Sequence, residues 1–203
     1  VTYGGRALHN IMNCLPAILS TYFWRNIGIE DIRLALQTFV PSATQTPGRL
    51  NLFHFKHFKF LVDFAHNPAG LELLCDFVSK MDGEPKVGII SGTGDRRDDD
   101  IRELGRISGR FFDEIIIRQD KNLRGRTAEE IVNLLVEGIN ETKPKDIPIT
   151  IIYKEKDAIM HAYNTAKPGS LITIMCDVVA EALDLIKGLK EKEDEEEVNS
   201  HSS

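Results

Sequence analysis

Residues 86–100 read KVGIISGTGDRRDDD, and the first half of that stretch decides the fold. From Lys86 to Ser91 the apolar residues are nearly continuous rather than alternating, which predicts a strand covered on both faces, as in a parallel sheet wrapped by helices. Gly92 and Gly94 then let the backbone bend, and the acidic run that follows suits a helix start. The same strand, loop and helix reading repeats outward. Further strands are expected at 50–55, 58–63, 114–118, 147–153 and 171–175, and helices at 68–80, 99–111, 127–140, 156–166 and 178–189. The first two strands join through a tight turn at Lys56-His57, and beyond them strands and helices alternate strictly. That order predicts an α/β domain, a Rossmann-like, mostly parallel sheet flanked by helices.

Upstream, Leu8, Ile11, Met12, Leu15, Ile18, Leu19 and Tyr22 recur at helical spacing, which predicts a helix with one buried stripe, kinked at Pro16. A shorter helix follows, with Ile32, Leu34, Ala35, Leu36 and Phe39 on it. The stretch from Val40 to Gly48 is rich in turn formers. The expected organisation is a helical segment at 1–40, a linker at 41–48, the α/β domain at 49–190 and a solvated, disordered acidic tail at 191–203. The chain opens Val1-Thr2-Tyr3 and runs straight into a helical pattern, so it is expected to be part of something longer, or the product of a gene that has lost its front.

Composition narrows the function. With 203 residues and 42% hydrophobic content, the chain has material for one full core. A net charge of -6 argues against nucleic acid as a partner, because phosphates demand a basic surface. Cys14, Cys75 and Cys176 are far apart in apolar runs and read as reduced packing residues rather than disulfides or a metal site. No apolar run approaches a membrane span, and no signal peptide is evident, so a soluble, cytoplasmic protein is expected.

In an open α/β sheet, ligands bind beyond the carboxyl ends of the strands, which directs attention to three loops. Asp63-Phe64-Ala65-His66-Asn67-Pro68 brings an acid, an imidazole and an amide to a helix start; the plainer reading is that Asn67 caps the helix and the others are incidental. Gly94-Asp95-Arg96-Arg97-Asp98 is too charged for a simple turn, although helix capping accounts for part of its acid content. Arg124-Gly125-Arg126, ahead of a Thr127 N-cap, suits a carboxylate or phosphate, with a solvated surface loop as the alternative. Convergence of all three at one sheet edge favours a site.

These residues carry a resemblance. Ala7-Leu8-His9-Asn10-Ile11-Met12-Asn13 resembles the His-Asn helix that closes the central ATPase domain of the Mur ligase superfamily. Pro47-Gly48-Arg49 resembles the opening of that family's third domain, and Asp63 to Pro68 resembles its Asp-Tyr-Ala-His-x-Pro motif. Within the superfamily, the stretches 42–51 and 94–98 and Arg124-Gly125-Arg126 resemble the cyanophycin synthetase branch, as does Met175-Cys176-Asp177-Val178, which lacks the Gly-Lys-Gly-His-Glu of many peptidoglycan ligases. The resemblance covers roughly residues 3–189. The chain has no G-x-x-x-x-G-K-[ST] phosphate loop.

The resemblance implies the carboxyl-terminal part of an ATP-dependent amide ligase that works through an acyl phosphate and is inactive without the phosphate-loop segment. It implies ATP as cofactor, with Mg2+ bound mainly by that other segment. His9, Asn10 and Asn13 would lie against adenine, Arg49 would offset charge on the terminal phosphate, and Asp63, His66 and Asn67 would form the closing loop. The implied amine is arginine, joined to an acidic polypeptide acceptor, with Asp95, Arg96, Arg97, Asp98, Arg124 and Arg126 as candidate contacts. Large ligases of this type commonly assemble, so a homo-oligomer is among the expected partners. The competing readings are a noncatalytic nucleotide- or amino-acid-binding module and a Mur-type ligase for peptidoglycan or folylpolyglutamate.

Overall fold

A computed structural model describes residues 3–142 and 146–201. Two helices come first, α1 (Leu8–Arg25) and α2 (Ile29–Thr38). The α/β part follows as β1 (Asn51–His54), β2 (Lys59–Asp63), α3 (Pro68–Ser79), β3 (Lys86–Ile90), α4 (Asp98–Phe111), β4 (Glu114–Ile117), α5 (Ala128–Thr142), β5 (Ile149–Ile151), α6 (Glu155–Thr165), β6 (Leu171–Met175) and α7 (Val179–His201). The strands lie in the order β1-β2-β6-β3-β4-β5. Only β1 runs antiparallel, as the hairpin partner of β2; every other pairing is parallel, so β2 to β6 all end at the same edge.

Side-chain alternation along each strand builds two cores. On one face Leu61, Ile90, Ile115 and Ile117 pack with Leu71 and Leu74 of α3, Ile101 and Leu104 of α4, and Ile131 and Leu135 of α5. On the other face Phe60, Val62, Ile89, Ile116, Ile172 and Ile174 meet Ala158 and Ile159 of α6 and Leu183 and Ile186 of α7. Each Val, Leu, Ile or Phe among them contributes roughly 1.5–3 kcal/mol by leaving water. Both faces are therefore apolar, which is why the strands read as continuous hydrophobic runs.

Helix starts follow local chemistry. Asn67 Oδ1 accepts from the Gly70 amide at 2.8 Å, with Pro68 next in line. Thr127 and Glu130 form a reciprocal box: Thr127 Oγ1 accepts the Glu130 amide at 3.2 Å, and Glu130 accepts the Thr127 amide at 2.7 Å.

Two expectations are corrected. The apolar stripe of α1 is not buried: Leu8, Ile11, Met12, Leu15, Leu19 and Tyr22 are all exposed, because within the described residues α1 has few partners beyond α2. The acidic tail expected to be disordered from 191 instead continues α7 to His201, while residues 202–203 lie outside the described residues. The physical reason is charge pairing that composition does not reveal. Lys190 contacts Glu193 at 2.9 Å and Asp194 at 2.7 Å within the helix, and the Lys56 amide and ammonium reach Glu193 and Glu197 from the β1–β2 turn.

Helices α4 and α5 pack backbone against backbone. A Cβ at Gly138 would sit 2.0 Å from the Arg102 carbonyl oxygen, and one at Gly105 would sit 2.2 Å from that of Leu135. Arg102–Glu137 and Arg106–Glu141 pairs at 2.8 and 2.7 Å flank the crossing. Alanine at 138 should therefore destabilise the fold by about 1–3 kcal/mol despite its better helix propensity, seen as a lower urea midpoint with an unchanged slope.

Candidate active site

The parallel edge of the sheet collects the loops after β2, β3, β4 and β6. Two cavities open there, and a third lies beside them.

The first is a cleft of about 570 Å³ between α1 and the loop after β2, within the usual size range for small-molecule sites. His9, Asn10 and Asn13 line it from α1, Arg49 from the turn before β1, and Asp63, His66 and Asn67 from the loop after β2. All seven residues assigned to a nucleotide thus face one space. Asp63 is buried, and its Oδ2 accepts the Leu50 amide at 2.9 Å. Burial pushes its carboxyl above the usual aspartate range, against opposing pulls from the Leu50 amide and the Arg49 guanidinium. The Arg49 guanidinium sits 5.9 Å from the Phe64 ring centre. His66 Nδ1 lies 3.1 Å from the Phe64 carbonyl oxygen, which can only accept, so Nδ1 carries a proton and Nε2 is the acceptor of the neutral ring.

The second cavity, about 180 Å³, is lined by His66, Thr93, Arg96, Arg118, Asp120, Arg124 and Asp177 among others, so the three charged loops do converge. Of the six residues assigned to an amino-acid substrate, Arg96 and Arg124 line it. The others are engaged nearby. Asp95 pairs with Arg124, and Arg97 with Asp100 at 3.0 Å. Arg126 donates to the Gly94 and Arg96 carbonyls at 3.0 and 2.9 Å and pairs with Asp98 at 2.7 Å, so it braces the Gly94–Asp98 loop. Thr93 Oγ1 and Arg96 Nε are buried with no hydrogen-bond partner among the described residues, an arrangement suited to a polar ligand.

Two residues escaped the sequence reading. Asn51, 2% exposed, accepts the Gly48 amide at 2.7 Å and donates to the Thr46 and Arg49 carbonyls, clasping the Pro47–Arg49 turn. Its place directly after Pro-Gly-Arg-Leu was the available signal. Arg118, 1% exposed, directly follows β4 and pairs with Asp120 at 2.8 Å; no local pattern marks it. Among the described residues no group of three His, Cys, Asp or Glu side chains could hold a metal ion, and no helix is long and apolar enough to cross a membrane.

Residues 48–177 match the family model described as Mur ligase, glutamate ligase domain. The chain is 40% identical over 186 residues to the cyanophycin synthetase of Crocosphaera subtropica, covering 92% of this chain and 21% of that protein. It is 39% identical over 202 residues to that of a Nostoc species, covering 98% and 22%. It therefore spans about a fifth of the length of these curated relatives. Among solved structures, UDP-N-acetylmuramate-alanine ligase from Thermotoga maritima aligns with a TM-score of 0.63 at 13% identity, over 91% of this chain and 38% of that one. Folylpolyglutamate synthase from Mycobacterium tuberculosis, complexed with ADP, aligns at 0.59 and 20% identity over 79% and 35%. These structural likenesses show the fold, a Mur ligase C-terminal α/β domain.

Because the folded-state carboxyl of Asp63 titrates above the ordinary 3.8, the unfolded chain gives up its proton first as pH rises. Stability is therefore lost through that window and stays lower at neutral pH. Asp63→Asn, which keeps an acceptor for the Leu50 amide, should raise Tm at pH 7, and the gain should vanish below pH 3.8, as paired thermal melts would show.

Proposed function

The chain belongs to the Mur ligase family, and from that premise we propose that it is the carboxyl-terminal part of an ATP-dependent amide ligase that joins arginine to side-chain carboxylates of an acidic polypeptide. The observation that carries this reading is the single cleft into which His9, Asn10, Asn13, Arg49, Asp63, His66 and Asn67 all open. Support for the cyanophycin branch comes from the 40% identity to proteins of that name.

ATP, when bound, supplies the phosphoryl group that turns the acceptor carboxylate into an acyl phosphate. The residues of this chain do the rest by placement and charge. His9, Asn10 and Asn13 share one face of α1 and present donors and acceptors matched to the edge of a purine. Arg49 is exposed at the mouth of the cleft, with its charge free to meet a phosphate oxygen. Phosphoryl transfer draws on placed positive charge and exclusion of water more than on a protein nucleophile. Asp63 holds the loop after β2 against Leu50, so the wall carrying His66 and Asn67 keeps its position when the cleft closes. No residue of this chain is assigned to Mg2+, which fits its retention by a phosphate-loop segment.

The small cavity is the reading for the amine substrate. Arg124 and Arg96 face its carboxylate, while Asp120 and Asp177 line the same space and suit a cationic end. Arg126 acts by holding the loop that carries Arg96.

The test is ATP-dependent amide formation by the full-length protein that carries this chain, with arginine and polyaspartate. Arg49→Ala should lower kcat by about 10²–10³ with a small change in KM for ATP, the size seen when one transition-state charge contact is removed. Arg124→Ala should instead raise KM for the amine by about tenfold or more. A full-length protein that binds nucleotide yet makes no amide with any amino acid would leave the noncatalytic binding module as the better reading, and product with glutamate or diaminopimelate in place of arginine would move it to another branch of the family.

A further inference from the structure

We infer that Arg118 is a positioning residue for the amine substrate: its buried guanidinium fixes the wall that the small cavity shares with a larger cleft behind it. The inference rests on the ligase reading above and goes beyond it, since no motif or assigned role touches Arg118.

The geometry is unusual for its cost. The Arg118 side chain is 1% exposed, and an unpaired charge at that depth is prohibitive. Both terminal nitrogens are hydrogen-bonded, and Nε, which makes no hydrogen bond among the described residues, has a carboxylate beside it. One terminal nitrogen donates to Asp120 Oδ1 at 2.8 Å and to the Gln119 carbonyl at 3.2 Å, the other donates to the Met175 carbonyl, and Glu155 Oε2 lies 3.1 Å from Nε. Those partners extend the set. Asp120 also accepts from Ser91 Oγ at 2.9 Å, Glu155 accepts the Asp177 amide at 2.6 Å, and Asp177 Oδ2 accepts the Lys121 amide at 2.7 Å. One guanidinium thus ties together the loops after β3, β4 and β6 and the first turn of α6.

What it ties is a partition. Asp120 and Asp177 line both the cavity of about 180 Å³ and a second one of about 530 Å³, whose other walls include Tyr153, Ile159 and Leu185. A substrate held by its carboxylate at Arg96 and Arg124 therefore meets this partition with its other end. Apolar residues in place of a buried ion cluster are usually at least as stable, so what the cluster contributes here is fixed direction for two carboxylates. The nucleotide cleft has neither Arg118 nor any of its side-chain partners in its lining, which separates the two effects in an experiment.

Steady-state kinetics of the full-length protein test this with Arg118→Lys, which keeps the charge and loses the fork, and with the charge-neutral pair Arg118→Gln and Glu155→Gln, which leaves Asp120 and Asp177 in place. The expected result is a KM for the amine raised about tenfold or more while KM for ATP stays within about twofold. An unchanged amine KM, or equal rises in both constants, overturns the assignment. If Arg118→Lys does not fold, as judged by circular dichroism melting, the neutral pair decides on the same criterion, and failure of both to fold makes the residue structural and overturns the inference. Wild-type protein that forms no amide overturns the ligase reading, and Arg118's role with it; wild-type product with indifferent variants overturns the Arg118 role alone.

Discussion

A parallel sheet buried on both faces leaves polar chemistry one place to go. Strands β2, β3, β4 and β6 turn their side chains into two apolar cores, and polar groups gather within a few residues of their carboxyl ends: Asp63, Ser91, Arg118, Asp120 and Asp177. Because those strands run in one direction, the groups meet at one edge. Crowding then forces pairing. Charges set close together at the rim of a low-dielectric core must find partners or be pulled toward their neutral form; Arg118 shows the pairing, and burial raises the Asp63 carboxyl against the pull of the Leu50 amide and Arg49.

The same constraint explains which arginines are available to a ligand. Five of them cluster near the edge, at 96, 97, 118, 124 and 126. Arg97 turns to Asp100, Arg126 is taken up by two carbonyls and Asp98, and Arg118 is locked beneath the surface. Arg96 and Arg124 remain on the wall of the cavity, Arg124 with a single exposed partner in Asp95. A surface pair of that kind is worth little and is readily exchanged for a ligand's carboxylate.

Much of this was legible in the sequence because it is local. The apolar runs at 87–90 and 115–117 gave the sheet, Asn67-Pro68 and Thr127 gave helix starts, Asp63 and His66 stood in a stretch whose residue types already suggested a site, and Arg49 stood in one marked by a family resemblance. What was illegible is long-range. Arg118 looks like any strand-end arginine until β6 and α6 are laid beside it, 57 residues on in the case of the Met175 carbonyl. The α7 extension reads as a charged tail because its pairing with Lys56 spans 137 residues. The division of the charged loops into bracing and lining residues likewise depends on contacts across 29 to 32 residues.

Of the four non-glycine residues with left-handed backbone among the described residues, Tyr3, Asn26, Leu50 and Arg124, two line the cavities. Leu50 and Arg124 are non-glycine residues with φ near +50°, a conformation that costs free energy and persists where its surroundings demand it. Arg124 lies on the wall of the small cavity. Leu50 sits between two bonds: its amide donates to Asp63, and its carbonyl accepts from Tyr3 Oη, while the Tyr3 ring packs edge-on against Phe77 of α3. Through that one residue the turn that leads into α1, the Pro47–Arg49 turn and the loop after β2 share a fixed point. The cleft between α1 and that loop is thus bordered by a backbone conformation that an unconstrained leucine would abandon, and one of the bonds that hold it there is accepted by Asp63.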